Sequence, residues 1–425
     1  MIKRIISYIQ TLTLYPGARA IVTFQSEYQR LKTLGQKPKV HFEAPYEGQR
    51  IMVLALYEKG VLRPDVIRLM EAARAEGLYV LAVNTLKLGD PSALQGLVDC
   101  YIERPNFGRD FGSYKTGFLH IFKNNWQESC PRLLMINDSV FFSAERMPKF
   151  LNDMMTSEIE VLGSTENYEI EYHLGSFCIA MSQSVLKKPI FQKYWKNYRL
   201  TDVRPRVIKR GEMKLSKTLK KCISAPTQLR ALYGSTHFLQ CLNNNPDLID
   251  FVIQNSRTSD LLHWDQFNAD NIVSFLRARF LAPVSMISSS ENTDIQVNAE
   301  LEQLNEEYFV YDSKTLKDYI FRHVRNTETI QASIVNDSII SNMTQIFMNG
   351  SQIHQNASPL LYLGLPIVKL DGMYRGMFNV YDIQRISRLL ETVEADQLQQ
   401  ILMERPFGGS TLIGWKKAAF LSGLI

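Results

Sequence analysis

IMVLAL at residues 51–56 and LYVLAVN at residues 78–84 are two apolar runs. Between them lie a polar stretch with Pro64 and a helical stripe of Val66, Ile67, Leu69, Met70 and Ala73 that closes at Gly77. The order reads strand, loop, helix, strand. A third run, DCYIER at 99–104, follows a connection long enough for the crossover that parallel strands require. Strands alternating with helices predict an α/β fold, a mostly parallel sheet with helices on its faces. The pattern continues through a helix carrying Tyr114, Phe118, Ile121 and Phe122, a strand LLMIN (133–137), a helix near 147–156, and short strands near 159–163 and 177–181. Past Ser224 the texture turns helical, with breaks at NNNPD (243–247) and around 288–298 and 349–357. The chain therefore divides into an N-terminal helical segment (1–45), an α/β domain (46–225) and a mostly helical C-terminal region (226–425).

Composition narrows the function. The 425 residues, 45% hydrophobic and 21% charged, suffice for two ordinary domains, and a net charge of +5 from 48 Lys and Arg against 43 acids is too dispersed for a nucleic-acid binder. Five widely spaced cysteines fit neither a zinc site nor a disulfide framework, so a reducing compartment is expected. With no long apolar run and no signal-peptide pattern, the reading is a cytoplasmic protein. Ile2, Ile5, Ile6 and Ile9 beside Lys3 and Arg4, and Trp415 beside Lys416 and Lys417, offer peripheral contact with the inner face of the cytoplasmic membrane; packing on the protein's own core is the competing reading.

Open α/β sheets bind ligands beyond the carboxyl ends of their strands. Two loops there carry chemistry. In RPNFGRDFGSYKTGF (104–118), Asn106, Gly108, Arg109 and Asp110 sit between a strand and a helix, Gly108 and Gly112 permit close backbone approach, and Arg104 and Arg109 supply charge. The loop can hold a nucleotide's phosphates or ribose; alternatively Asp110 simply caps the helix. In LLMINDSVFFS (133–143), Asn137 and Asp138 close a strand, where Asp138 could ligate Mg²⁺ or Mn²⁺ or the pair could form a turn. Downstream, His173 and Glu212 are candidates for a proton acceptor, against a structural histidine and a solvated basic helix. No P-loop, dinucleotide fingerprint, zinc helix or nucleophile elbow is present in the sequence.

Taken together, RPNFGRDFGSYKTGF, LLMINDSVFFS, YHLGSFCIAMS and RGEMKLSKTLKK resemble, in order and spacing, the rhamnan synthesis protein F family of bacterial polysaccharide glycosyltransferases. The resemblance covers residues 50–225; beyond it only YGSTHFLQ (233–240) and LGLPIVKLDG (363–372) are similar to family elements. It implies a GT-A-like nucleotide-sugar fold and transfer of a sugar, typically rhamnose from dTDP-rhamnose, to a growing, lipid-linked O-antigen or rhamnan chain. The family's Asn-x-Gly-x-Asp loop falls on Asn106, Gly108 and Asp110, and its strand-end pair on Asn137 and Asp138. Its His-x-x-Ser-(Phe/Tyr) element falls on His173, Ser176 and Phe177, and its Gly-Glu-x-x-Leu-Ser element on Gly211, Glu212, Leu215 and Ser216. Asn137-Asp138-Ser139 stands where GT-A enzymes carry Asp-x-Asp, so one metal-binding acid is missing.

The expected mechanism has an acceptor hydroxyl displace a nucleoside diphosphate, with Arg109, the helix start near Asp110 and a divalent metal at Asp138 stabilising the leaving group. Glu212 is the first candidate for the base and His173 the second. Two other readings stay open: a non-catalytic glycan-binding or scaffold subunit of a polysaccharide assembly complex, and a metal-dependent nucleotidyl transferase or phosphohydrolase.

Overall fold

The computed structural model describes residues 2–257, 267–280, 308–324 and 332–425, with residues up to Thr13 as helix backbone alone. The strands are β1 (Lys39–Glu43), β2 (Ile51–Leu56), β3 (Tyr79–Asn84), β4 (Cys100–Glu103), β5 (Arg132–Asn137) and β6 (Val140–Phe142), then β7 (Val161–Gly163), β8 (Glu166–Asn167), β9 (His173–Leu174), β10 (Cys178–Ser182), β11 (Leu229–Ala231) and β12 (Ile367–Lys369). Eight of them form one sheet in the order β1-β4-β3-β2-β5-β10-β7-β11. Neighbours from β4 through β3 and β2 to β5 run parallel, as do β7 and β11, whereas β1 and β10 run antiparallel to their partners. The expected mostly parallel α/β sheet is therefore present, with β1 and β10 making it mixed.

Sequence dictates the centre of the sheet. Every residue of β2, β3 and β5 is buried, which explains continuous apolar runs in place of alternation: both faces are covered. Helices α1 (Ile2–Lys32), α2 (Pro64–Ala75) and α3 (Arg109–Lys123) are the long elements that precede β6. On the face covered by α3, Phe111, Tyr114, Phe118, Phe122, Phe191 and Trp195 join one core, with Phe118 stacked on Trp195 at 4.5 Å between ring centroids.

The chain forms two compact units. Of the described residues, one holds 2–234 and 349–425, and the other holds 235–257, 267–280, 308–324 and 332–348. In the second, the described segments are helices, and Phe238 stacks on Phe347 with centroids 4.0 Å apart. The stretch read as a helical region, 226–425, is thus divided, because β12 pairs with β6 and the helices around it bury Phe141, Val368, Leu370, Ile383 and Leu398 in a common core. Segment 1–45 is helical up to Lys32 but ends in edge strand β1, whose half-exposed KVHFE carries too weak an apolar pattern to announce a strand.

The C-terminal basic-aromatic stretch packs inward: Ala419 and Leu424 are buried with Ala18 and Val22 of α1, and Trp415 and Ala418 lie against them. The side chains of Ile2, Ile5, Ile6 and Ile9 lie outside the described ones. Among the described residues no helix is long and apolar enough to cross a membrane. All five cysteines are free thiols.

Candidate active site

The loop joining β4 to α3 is folded by its own arginine. Arg104 is buried; its Nε donates to Ser113 Oγ at 2.8 Å, Nη1 to the Phe107 carbonyl at 2.6 Å, and Nη2 to the Arg109 carbonyl. Burial lowers its pKa to about 10, with the Asp110 and Asp202 carboxylates opposing that. Its charge is spent holding the loop, so of the two loop arginines only Arg109 remains exposed. Arg109 adopts a left-handed backbone (φ 49°) and its Nε donates to the Asp202 carbonyl at 2.9 Å.

Gly108 precedes it with φ 93°, and its amide donates to Asp202 Oδ1 at 2.7 Å. A Cβ there would lie 2.8 Å from Leu200 Cδ2. The close approach expected at Gly108 is therefore to the chain itself. Gly108→Ala is expected to destabilise the unit by about 1–3 kcal/mol, read as a lower urea midpoint at unchanged slope.

Asp110 does not cap the helix; its Oδ2 accepts from Asn137 Nδ2 at 3.0 Å, tying the α3 start to the end of β5. Burial raises its pKa, with Lys369, Arg109 and Arg104 pulling it back. Asn106 is exposed, its Oδ1 accepting from Thr85 Oγ1 at 3.1 Å. Asn137 Oδ1 also accepts from the Ser139 amide at 3.2 Å and from its hydroxyl, so the strand-end turn is real and carries the site as well.

Asp138 is 5% exposed, with Oδ2 accepting the Tyr57 amide and its backbone carbonyl accepting Arg63 Nη1 at 2.9 Å. Burial pushes its pKa up to about 8, with Glu58 and Asp110 adding to the rise and the Tyr57 amide and Arg63 opposing it. An unfolded Asp ionises near 3.8. Between about pH 4 and pH 8 the folded chain thus holds a proton that the unfolded chain gives up, and stability falls as pH rises through that window. Asp138→Asn keeps an oxygen for the Tyr57 amide and removes the slope. Its stability relative to the parent is expected to improve by up to about 1.4 kcal/mol per pH unit across the window in urea titrations.

The donor set at this strand end is poor in carboxylates for a divalent ion: Asp138 Oδ2 accepts the Tyr57 amide, Asn137 Oδ1 is occupied by Ser139, and the nearby cation is Lys369, whose Nζ donates to Ser139 Oγ at 2.8 Å. Among the described residues the trio of metal-ligand type with close donor atoms is Glu43, Cys100 and His120, beside the amino end of β4.

The sequence reading missed Lys369. It comes from β12, opposite Val140 of β6, and lies over the Phe177 ring at 5.4 Å. Its ammonium acts electrostatically on Asp110, Glu212 and Asp371 alike. Asp371, two residues on, bonds His354 Nε2 at 2.8 Å and Arg375 Nε at 2.9 Å; although half-buried, it is held well below the carboxylate range by His354, Lys369 and Arg375. Arg204 adds a further cation acting on Glu212. LGLPIVKLDG contained Lys369 and Asp371, but nothing in the sequence placed that fragment beside β6.

Glu212 lies in a π-helical turn (Ile208–Met213) whose Gly211 is packed so closely on Phe111 that a Cβ would lie 2.8 Å from the ring. The turn brings Glu212 Oε2 within 3.7 Å of His173 Nε2. His173 is 2% exposed and its Nδ1 bonds the Glu171 carbonyl at 2.7 Å, which places a proton on Nδ1 and leaves Nε2 to face Glu212. Burial opposes charge on both groups, yet their mutual attraction wins: Glu212 is lowered and His173 raised. Glu212 is 27% exposed, the accessible member of the pair.

Residues 78–222 match the family model of rhamnan synthesis protein F. That bears out the resemblance read from the four motifs, all of which bear on this segment, and it supports a role in rhamnan or polysaccharide synthesis. An uncharacterized protein, y4gN, of Sinorhizobium fredii is 26% identical over 174 residues, 40% of this chain and 45% of that one. The virulence protein VirA of Vibrio anguillarum is 29% identical over 97 residues, 23% of this chain and 30% of that one. The chain thus matches less than half the length of either relative. Lys369 and Asp371 lie outside the segment that the family model covers.

Proposed function

We propose that the chain is a GT-A-like glycosyltransferase that moves a sugar from a nucleoside diphosphate to a glycan acceptor during synthesis of a bacterial polysaccharide. From the family likeness, rhamnose carried by dTDP-rhamnose is the expected donor sugar, and a lipid-linked glycan the expected acceptor. One observation carries the reading: Lys369 donates to Ser139 at the end of β5 while acting electrostatically on both Asp110 and the ionised Glu212. A cation is thereby set between the strand ends, where a diphosphate would lie, and a carboxylate competent to accept a proton.

In the reaction the acceptor oxygen bonds to the anomeric carbon as the bond from that carbon to the diphosphate breaks. The hydroxyl proton passes to the Glu212 carboxylate. Negative charge grows on the leaving phosphate oxygens, and Lys369, Arg109 and the N-terminal end of α3 stabilise it. Asp110 and Asn137 fix the helix start against β5, and Asp138, retaining its proton, holds the β2 and β5 ends together through the Tyr57 amide. His173 positions Glu212 and keeps it ionised.

The test is nucleotide release from dTDP-rhamnose, UDP-sugars and GDP-sugars, with and without a deacylated polysaccharide fragment, in Mn²⁺ or EDTA. Acceptor-dependent release from one donor is expected, and because side-chain cations neutralise the leaving group, EDTA is expected to leave the rate unchanged. Release of free phosphate or diphosphate without transfer would favour a phosphohydrolase, and saturable glycan binding without any release would favour a scaffold subunit.

A further inference from the structure

The π-helical turn has a second face. There a cavity of about 550 Å³ is walled by Lys193, Arg199, Arg210, Lys214, Lys217 and Lys221 and by no acidic residue. Lys217 pairs with Glu171 at 2.8 Å; the other five cations have no acidic partner within bonding distance among the described residues. Mutually repelling cations around a concavity cost folding energy unless something anionic offsets them. The basic run that reads as a solvated helix face is therefore gathered, by the turn and the helix Pro189–Asn197, around one hollow.

Tyr198 lines the cavity, but its hydroxyl is closed off from solvent and lies within electrostatic reach of Glu212. Tyr194, the other ring in the wall, has its own hydroxyl committed to the Gly211 carbonyl at 3.1 Å. Ile190, at 41% exposure, adds an apolar edge to the same wall.

We infer that this cavity binds a phosphoryl anion, most naturally one carried on a lipid headgroup. Several convergent cations match the oxygens of a phosphate ester, and the volume suits a single headgroup. The exposed Ile190 beside the cations is the pairing of apolar and basic surface that meets an anionic bilayer. The cavity shares its turn with Glu212, which faces His173 and is not among the lining residues. Binding itself stands on the cavity alone and does not depend on the transferase reading.

The experiment measures two probes on the full chain: cosedimentation with phosphatidylglycerol vesicles in phosphatidylcholine, and calorimetric binding of inorganic pyrophosphate. Vesicle binding is expected, weakened about twenty-five-fold in Lys193→Gln/Lys221→Gln, from roughly five-fold per charge removed. Vesicle binding lost in the double variant identifies a lipid-borne phosphate. Pyrophosphate binding lost in that variant, with no vesicle binding, identifies a soluble source and still upholds the site. Binding of neither probe, or equal binding by parent and double variant, overturns it. Glu212→Gln is expected to lose nucleotide release and keep vesicle binding, so the two proposals fail separately.

Discussion

Glu212→Gln is expected to lower the turnover number for sugar transfer by about 10²–10⁴-fold, the range for removing a positioned general base, while donor affinity stays close to that of the parent. The amide keeps the size and shape of the side chain in the turn packed on Phe111 but cannot take a proton. Single-turnover nucleotide release against direct donor binding separates the two effects. Full turnover in the variant would remove Glu212 from the mechanism.

The same pair sets the pH dependence. Burial alone would raise Glu212, and the His173 imidazolium together with Lys369 and Arg204 outweighs it, holding the carboxyl below its ordinary value. A base must be deprotonated to act, so the acid limb of the parent's rate profile falls below the usual carboxylate range near pH 4.3. His173→Gln removes the first of these opposing charges, and the limb moves to higher pH. A merely structural histidine would change stability without displacing that limb.

The sheet was legible because its central strands are buried on both faces, which leaves IMVLAL and LYVLAVN as unbroken apolar runs between turn signals. Local motifs were legible too: Asn106, Gly108, Arg109 and Asp110 stand on one loop, and Asn137 and Asp138 on one strand end. Their partners were not. That Arg104 is consumed inside the loop depends on carbonyls of Phe107 and Arg109 turning toward it, a product of the left-handed backbone at Gly108 and Arg109. Asp110 looked equally like a cap because Asn137, 27 residues away, decides between the readings.

Edge strand β1 and the three-residue β12 were too short to show periodicity, and the pairing of β12 with β6 joins residues more than two hundred positions apart. Contacts of that span follow from the filled core around Phe141 and Val368 and leave no local trace. Hence the cleft's acids were visible from sequence, and its central cation was not.

That cation supports the second large prediction. Lys369→Met is expected to reduce kcat/KM for transfer by about 10²–10³-fold, comparable with deleting a donor aimed at a developing oxyanion. Methionine retains much of the length of the side chain whose ammonium sits over Phe177 but can neither donate to Ser139 nor face a diphosphate. Because the ammonium also restrains Asp110, whose pKa burial already raises, its removal moves Asp110 further upward and weakens the tie to Asn137 only where that carboxyl gains a proton. Lys369→Arg should recover part of the rate, since charge is restored while the point-like ammonium geometry at Ser139 is not. Mn²⁺ supplies the discriminating arm. If leaving-group neutralisation is the function of this lysine, an added divalent ion bridging the diphosphate should rescue Lys369→Met more than it stimulates the parent. If Lys369→Met retains the parent kcat/KM in EDTA, the charge must come from elsewhere in the cleft, with Arg109 and Arg204 the side chains to replace next.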